Sequence, residues 1–203
     1  MFKIAVLASG SGSNLQSIID NIESNYLNCK IEMVIGSKEG LYALDRAKNS
    51  NIETFVISKK EYGNKTSDEI LKLTYGKVDL IVLAGYLSIL SGDILKKFKN
   101  KIINIHPSLI PSFCGANMYG IKVHEAAIKK GVKLSGCTVH FVNDEVDGGA
   151  IILQKAVEVK FEDDAVSLQK RILKEEHKLL PEAIKYLIEE KVSVVNGRVK
   201  ILK

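Results

Sequence analysis

The first half of the chain alternates short apolar runs with stretches that carry apolar residues at helical spacing. Residues 2–8 are apolar at nearly every position, which is typical of a parallel strand buried on both faces. Residues 13–25 place four apolar residues on one stripe, as an amphipathic helix does: Leu15, Ile18, Ile19 and Ile22. This alternation predicts an α/β fold with a doubly wound, mostly parallel sheet flanked by helices.

The remaining elements of the first half follow from the same signals. Apolar runs predict further strands at 31–36, 52–57, 79–84 and 101–105. Capping residues and helical spacing predict helices at about 41–49, 66–76 and 93–98.

The second half predicts a partly antiparallel addition to this sheet. Helices are predicted at 121–130 and 163–191, strands at 135–142 and 150–158, and a small hairpin at 193–202. Pro181 lies inside the long helix and should kink it or split it in two, because proline lacks the backbone N–H that a helix uses.

Composition fits one globular domain, which we expect to span residues 1–203. The chain is 46% hydrophobic and 26% charged, and its length is enough for a sizeable core. The net charge of +5 comes from lysines spread along the chain, so we expect no nucleic-acid partner. We also expect no membrane partner, because no apolar run approaches the roughly 20 residues needed to span a bilayer.

The N-terminus and the cysteines bear on location. Residues 2–8 enter a strand directly and lack the longer apolar region of a signal peptide. Cys29, Cys114 and Cys137 are an odd number without Cys-x-x-Cys spacing, which favours a reducing compartment and argues against structural zinc. We therefore expect a cytoplasmic protein without a bound metal, in which Cys114 is incidental rather than reactive.

The stretch 101–115 combines the end of an apolar strand with two polar side chains. Asn104 and His106 are two positions apart, so they point to the same face of the strand. An amide NH2 can donate to a developing oxyanion, and an imidazole can move a proton near neutral pH. The pair predicts a catalytic site at the end of the strand. The alternative is a core histidine bonded to backbone, with Asn104 starting a turn.

A turn rich in glycine and serine, at 9–14, joins the first strand to the first helix. Free backbone amides and a helix N-terminus in such a turn bind phosphate. The sequence is neither Gly-x-Gly-x-x-Gly nor a Walker loop, so we predict a monophosphate rather than a dinucleotide. The alternative is a tight turn in which Asn14 caps the helix.

Asp147 precedes Gly148 and Gly149 in an acidic, turn-rich segment at 143–149. The glycines free the loop to bring the carboxylate close to another group. A carboxylate beside His106 would orient the imidazole and favour its protonated form. The alternative is a solvated aspartate in a turn.

The other three histidines give weaker signals. His140 lies in the middle of a strand, where a hydrogen-bonded core or supporting role is expected. His124 is expected on the surface of a helix, and His177 lies in the long helix. Their spacing matches no metal site.

Three motifs together resemble those of the phosphoribosylglycinamide formyltransferases, folate-dependent enzymes of purine synthesis. The motifs are Ser-Gly-Ser-Gly-Ser-Asn at 9–14, Asn-Ile-His-Pro-Ser-Leu-Ile-Pro at 104–111 and Asp-Glu-Val-Asp-Gly-Gly at 144–149. They occur in the family's order, and the resemblance covers essentially the whole chain. The second and third motifs mark the wider formyltransferase superfamily, whereas the first marks the glycinamide ribonucleotide branch.

The resemblance implies transfer of a formyl group from 10-formyltetrahydrofolate, a cosubstrate, to the amine of glycinamide ribonucleotide. It implies that Asn104 and His106 stabilise a tetrahedral oxyanion, while Asp147 tunes His106 and aids proton transfer. It also implies a phosphate-binding, Rossmann-like half at 1–100 and a catalytic, folate-binding half at 101–203. No metal or covalent nucleophile is required, and we expect a monomer or homodimer.

Further residues are implied as contacts of the two substrates. Those for the ribonucleotide are Gly12, Ser13, Asn14 and Glu176. Those for the folate are Lys65, Leu87, Ser88, Ile89, Leu90, Asn104, Asn143 and Asp144.

The chain departs from the family pattern at three places. Ser88 stands where some relatives have arginine, which affects the expected contacts with the folate tail. Cys114 replaces a common proline, and the segment 115–123 is longer than in familiar members. We therefore assign no contact residues to that segment.

Three rival interpretations share part of this pattern. A formyltetrahydrofolate deformylase has the same three catalytic residues, but we expect no room for its N-terminal regulatory domain before residue 2. An initiator-tRNA formyltransferase carries a C-terminal nucleic-acid domain, which we expect to be absent. A non-catalytic protein that binds a phosphate ligand would need the turn at 9–14 but not the three catalytic residues.

Overall fold

The computed structural model describes residues 1–202, so Lys203 of the predicted domain 1–203 lies outside the described residues. The chain divides into two compact units, the first from Met1 to Asn104 and the second beginning at Ile105. The division of function into halves at 1–100 and 101–203 stays a prediction.

The first unit is built on parallel strands. They are β1 (Phe2–Ala8), β2 (Cys29–Gly36), β3 (Glu53–Val56), β4 (Leu80–Leu83) and β5 (Ile102–His106), whose last two residues open the second unit. Strand β1 pairs with β2 on one side and β4 on the other, with Val6 opposite Val34 and Val82. Residues 4–8 are completely buried, as a continuous apolar run in a parallel sheet predicts.

Helices connect these strands. They are α1 (Ser13–Glu23), α2 (Tyr42–Asn49), α3 (Lys59–Tyr62), α4 (Thr66–Thr74) and α5 (Asp93–Lys97). Helix α1 buries Leu15, Ile18 and Ile19 of the predicted stripe, whereas Ile22, near its end, is half-buried. Helix α3 and the 3-10 turn Gly63–Lys65 were not predicted, because a single turn is too short to show periodicity.

The second unit contains α6 (Ile121–Lys130), β6 (Leu134–Phe141), β7 (Ile151–Glu158) and α7 (Ala165–Ile188). Strands β6 and β7 are antiparallel, and α7 packs against both strands and α6. The predicted hairpin is present as β8 (Val192–Val195) and β9 (Arg198–Ile201).

Pro181 lies inside α7, which continues without interruption on both sides of it. The alternative of a helix split in two was therefore wrong. Buried residues before and after the proline, such as Ile172, Leu180 and Ile184, belong to one packed face. Packing of that face stabilises a continuous helix despite the missing backbone donor.

The predicted fold class is confirmed. Hydrogen bonding orders seven strands as β3-β2-β1-β4-β5-β6-β7, and β8 and β9 pair separately. The pairs among β1 to β5 are parallel and the later pair is antiparallel. Within residues 1–202, no helix combines the length and the apolar character that crossing a membrane requires.

Candidate active site

The glycine-rich turn at 9–14 leads from β1 directly into α1. Gly12 precedes the helix with a φ of 74°, and a Cβ there would lie 2.7 Å from the Cα of Ala43. Both the left-handed backbone and the close approach of α2 therefore require glycine. Ser13 is half-buried, and Asn14 is buried within the first turn of the helix. Because Gly12 occupies the cap position, the alternative in which Asn14 caps the helix was wrong.

Arg46 of α2 contacts the same turn, and sequence analysis did not predict this contact. Its Nε donates to the carbonyl of Ser11 at 2.9 Å, and Nη1 donates to Oε1 of Gln16 at 2.8 Å. The guanidinium also lies 4.6 Å from the ring centroid of Tyr42. No motif signals this contact, because it arises only when α2 packs against the turn. It places a positive charge beside a segment suited to an anion.

The segment Leu87–Leu90 follows β4 and presents apolar side chains at its surface. Leu87 is 59% exposed and Ile89 is 70% exposed, whereas Leu90 is buried. Ser88 is half-buried, and Lys65, at the end of the 3-10 turn before α4, is exposed. Leu87 and Ile89, two positions apart, therefore expose two apolar side chains to solvent, and the predicted folate contacts of this segment stay predictions.

Asn104 lies on β5, opposite Leu83 of β4 in the parallel ladder. Its flanking residues Ile103 and Ile105 are buried, while Asn104 itself is half-buried. His106 follows two residues later, at the end of the same strand, and alternation places both side chains on one face.

His106 is 4% exposed and uses both ring nitrogens. Nε2 lies 3.0 Å from the carbonyl oxygen of Phe113, and Nδ1 lies 3.6 Å from Oδ2 of Asp147. A carbonyl oxygen only accepts, so Nε2 carries the proton of the neutral ring. A second proton therefore adds at Nδ1, on the side that faces the carboxylate.

Asp147 is half-buried, and its carboxylate is largely enclosed rather than solvated. Its side chain is 11% exposed, and Oδ2 accepts a hydrogen bond from the backbone N of Gly115 at 2.9 Å. Oδ1 lies 3.6 Å from Nε2 of His140, so the carboxylate faces two imidazoles. The predicted approach of Asp147 to His106 is present, and the alternative of a solvated turn aspartate was wrong.

The glycines after Asp147 act differently from the expectation. Asp147 itself has the left-handed φ, 55°, a region that aspartate tolerates better than most residues. Gly149 is required by the lack of space instead, since a Cβ there would overlap the carbonyl oxygen of Phe141. The backbone of the loop therefore lies directly against the end of β6.

A hydroxyl network holds the segment after His106. Oγ1 of Thr138 donates to the carbonyl of Ser108 at 2.7 Å and accepts from the backbone N of Ile110 and from Nε2 of Gln154. Oγ of Ser108, which is completely buried, donates to the carbonyl of Ser112 at 2.5 Å and lies 3.3 Å from that of Phe113. The backbone that carries the Phe113 carbonyl is thus held by a buried hydroxyl.

His140 is buried, in agreement with its predicted supporting role in a strand. Its Nδ1 donates to the carbonyl of Phe141 at 2.8 Å, which leaves Nε2 to face Asp147. Burial lowers the pKa of His140, and the Phe141 carbonyl and the Asp147 charge partly oppose that effect.

His124 is 1% exposed, so its predicted surface position was wrong. It belongs to the buried face of α6 with Val123 and Ala127, a signal that the helical spacing contained. Burial, and secondarily the charge of His106, lowers the pKa of His124 to about 4. His124 is therefore neutral at physiological pH.

The remaining predicted contact residues lie elsewhere in the second unit. Asn143 is exposed and its Oδ1 accepts from the backbone N of Glu145 at 3.1 Å, while Asp144 is exposed. Glu176 is 7% exposed on α7, close enough to β6 for its charge to help burial raise the pKa of Cys137 to about 12. Their predicted ligand contacts stay predictions.

Potential metal ligands are not grouped in the part of the chain that the structure describes. Within residues 1–202, no set of three or more His, Cys, Asp or Glu side chains could hold a metal ion.

The mostly parallel sheet flanked by helices, and the approach of Asp147 to His106 at the end of β5, are typical of an α/β enzyme that transfers a chemical group. Residues 2–184 match the family described as formyl transferase, and the chain belongs to that family.

Two named proteins show which members of the family this chain is similar to. The chain is 44% identical to the phosphoribosylglycinamide formyltransferase of Haemophilus influenzae over 192 residues, which cover 93% of this chain and 88% of that protein. It is 41% identical to the human trifunctional purine biosynthetic protein adenosine-3 over 97% of this chain. The chain spans only about a fifth, 19%, of the length of that trifunctional protein.

Solved structures agree in fold. The crystal structure of glycinamide ribonucleotide transformylase 1 from Symbiobacterium toebii superposes with a TM-score of 0.91 at 40% identity, covering 100% of this chain and 95% of that one. A formyltetrahydrofolate deformylase from Pseudomonas syringae superposes with a TM-score of 0.90 at 26% identity, covering 100% of this chain and 66% of that one.

Proposed function

We propose that this protein transfers a formyl group from 10-formyltetrahydrofolate to the amine of glycinamide ribonucleotide, a step of purine nucleotide biosynthesis. The observation that carries the proposal is the approach of Asp147 to the buried His106 in a chain of the formyl transferase family. Oδ2 of Asp147 lies 3.6 Å from Nδ1 of His106. The Haemophilus influenzae relative, named for this activity and matched over 88% of its length, supports the choice of acceptor.

Asn104 and His106 stabilise the transition state in the proposed reaction. The substrate amine attacks the formyl carbon, and the carbonyl oxygen becomes a tetrahedral oxyanion. The amide NH2 of Asn104 donates to that oxygen, and the positive charge of the protonated His106, whose Nδ1 faces Asp147, stabilises it electrostatically. Support for this role comes from the bond to Phe113, which occupies Nε2 and leaves Nδ1 as the nitrogen that gains the second proton.

Asp147 aids the proton transfer that completes the reaction. The bond between the formyl carbon and N10 of the folate breaks as the amine loses a proton and N10 gains one. The products are tetrahydrofolate and the formylated amide, so atoms and charge balance. Asp147 keeps His106 oriented through its Oδ2, and its negative charge favours the imidazolium that the oxyanion requires.

Two sets of residues bind the substrates in this proposal. Gly12, Ser13 and Asn14 hold the phosphate of the ribonucleotide, with Glu176 on its ribose hydroxyls. Leu87, Ser88, Ile89, Leu90, Asn104, Asn143, Asp144 and Lys65 contact the folate. The left-handed turn at Gly12 and the exposed apolar surface of Leu87 and Ile89 support these two assignments.

The proposal is tested by a formyl-transfer assay with 10-formyltetrahydrofolate, in the presence and absence of glycinamide ribonucleotide. We expect tetrahydrofolate to appear only with the ribonucleotide, and to fall by at least about a hundredfold in His106→Ala. Circular dichroism and thermal melting of the variant separate a catalytic loss from misfolding. Absence of transfer by the folded wild type would contradict the proposal.

A second candidate function is hydrolysis of the formyl folate, which the similarity to the Pseudomonas syringae deformylase favours. The same assay distinguishes the two, because hydrolysis releases tetrahydrofolate at the same rate without the ribonucleotide.

We also propose a cytoplasmic location and a monomeric or homodimeric state, with no nucleic-acid or membrane partner and no bound metal. Three free cysteines are typical of a reducing compartment. Light scattering of the purified protein measures the oligomeric state, and elemental analysis measures the metal content.

A further inference from the structure

Ser9, the first residue of the glycine-rich turn, forms hydrogen bonds with the segment that follows β4. Its backbone N donates to the carbonyl of Gly85 at 3.0 Å, and its Oγ accepts from the backbone N of Leu87 at 3.0 Å. Both bonds link Ser9 to the first residues of the segment after β4. Ser9 therefore fixes the point at which Leu87–Leu90 leaves the sheet.

A second serine holds the other end of the same segment. Oγ of Ser67, in the first turn of α4, accepts from the backbone N of Ser91 at 3.0 Å. Ser67 is 5% exposed, so this acceptor is buried and its position is set by the packing of α4. Each end of Leu87–Leu90 is thus tied by a backbone N–H donating to a serine hydroxyl.

The two serine hydroxyls matter because packing against the core does not fix the exposed side chains of this segment. Leu87 and Ile89 are 59% and 70% exposed, so neither is held in place by the core. Tyr86 and Leu90, in contrast, are buried. The exposed pair forms an apolar face whose position depends on the backbone that the two serines hold.

We propose that Ser9 and Ser67 are positioning residues that hold the apolar face of Leu87 and Ile89 in the geometry that binds the folate cosubstrate. This inference rests on the proposed function, and it gives the turn at 9–14 a second task beside phosphate binding. Loss of the Ser9 hydroxyl weakens binding of the folate more than binding of the ribonucleotide. That result is the reverse of what its place in the phosphate-binding turn suggests.

The test compares Michaelis constants for both substrates in Ser9→Ala. A backbone N–H that loses its acceptor weakens the folate-binding conformation, so we expect KM for 10-formyltetrahydrofolate to rise about fivefold to tenfold. KM for the ribonucleotide and kcat should stay within about twofold. Ser9→Thr retains the hydroxyl acceptor and should restore most of the affinity.

A direct binding measurement accompanies the kinetics. Titration calorimetry with tetrahydrofolate, which cannot transfer a formyl group, should show a weaker Kd in Ser9→Ala and Ser67→Ala by a similar factor. Ser91→Ala is the matched control, because Ser91 is exposed and contributes its backbone N–H rather than its side chain to the bond with Ser67. Its Kd for tetrahydrofolate should equal that of the wild type.

Two results would overturn the inference while leaving the proposed function intact. One is an active Ser9→Ala enzyme with an unchanged Kd for tetrahydrofolate. The other is a rise in KM for the ribonucleotide as large as the rise for the folate. Failure of the proposed function gives a different result, namely no formyl transfer by the wild type.

Discussion

Asn104 and His106 occupy alternate positions of one strand but differ in how much of each is buried. Asn104 is half-buried, which leaves its amide within reach of a ligand, whereas His106 is enclosed and fixed through both ring nitrogens. A group fixed before the reaction costs no reorganisation when charge develops. The two residues therefore differ in what a substitution should change.

Asn104→Ala should reduce turnover far more than substrate binding. In the proposed mechanism the amide donates to the oxyanion only in the transition state, so we expect kcat to fall about 10²-fold to 10³-fold, with KM within a few-fold of wild type. Steady-state kinetics with both substrates measure this. Asn104→Asp, which has nearly the same size but lacks the NH2 donor, should lose as much. Losses confined to KM would contradict the oxyanion role.

Asp147→Asn should lower kcat while leaving substrate binding nearly unchanged. The amide keeps the size of the carboxylate and tolerates the φ of 55°, but it removes the negative charge beside Nδ1 of His106. In the proposed mechanism that charge stabilises the imidazolium as the oxyanion forms, so we expect kcat to fall about tenfold to a hundredfold. Steady-state kinetics with both substrates measure the change, and an unchanged kcat would rule out electrostatic support of His106 by Asp147.

At the scale of elements, the loop between β6 and β7 depends on contact with backbone rather than on glycine flexibility. Gly149 lies against the carbonyl of Phe141, and the backbone N of Phe141 donates to the carbonyl of Ala150 at 2.9 Å. Gly148 lies against the side chain of Glu145, which can move. Alanine substitutions at Gly148 and Gly149 therefore compare contact with a movable side chain against contact with fixed backbone.

Gly149→Ala should destabilise the protein, because the new methyl group meets backbone that cannot move. We expect a loss of about 1–3 kcal/mol in the free energy of unfolding, with a fall in activity as Asp147 shifts. Gly148→Ala should cost much less, since the Glu145 side chain can turn away. Urea unfolding of both variants measures this difference. Equal costs would mean that the contact with Phe141 does not constrain the loop.

The elements themselves were largely predictable from periodicity, whereas the contacts between them were not. Strand β1 was predicted at its observed bounds, and the strand that ends at His106 to within one residue. The charge of Arg46 beside the turn at 9–14 was missed, because it depends on how α2 packs. The sequence also left open whether α7 is split at Pro181, since packing, which outweighs a local propensity, keeps the helix continuous. The catalytic and ligand-binding roles of the candidate residues stay predictions.

At the scale of the whole molecule, buried histidines couple stability to acid. His124 has a folded pKa of about 4 against an ordinary value of 6.5. Between these values the unfolded chain binds more protons than the folded one, so stability falls as pH is lowered through that window. His140, whose pKa burial also lowers, acts in the same direction.

The free energy of unfolding should fall by about 3 kcal/mol from His124 alone between neutral pH and pH 4. Urea unfolding at a series of pH values measures the slope. His124→Gln should be less stable at pH 7 but should depend less on pH between 6.5 and 4. A variant with the wild-type slope would show that another group titrates in this window.

A separate loss is expected at lower pH. Arg171 donates to the carboxylate of Asp163 and holds its pKa at about 2, compared with an ordinary value of 3.8. That contribution is complete above the ordinary value and disappears as pH falls toward 2. It lies below the histidine window, so the two effects can be separated.

The difference in burial among the three thiols makes it possible to label the loop that contacts Asp147 with a fluorophore. Cys29 and Cys137 are buried, whereas Cys114 is half-buried and directly precedes the Gly115 whose backbone N–H binds the Asp147 carboxylate. Burial, followed by the charges of Asp147 and Glu145, raises the pKa of the Cys114 thiol, so alkylation should be slow near neutrality and faster in alkali. A maleimide fluorophore would therefore attach selectively at Cys114 in the native protein. Its emission would report movement of this loop as each substrate arrives, without any engineered label.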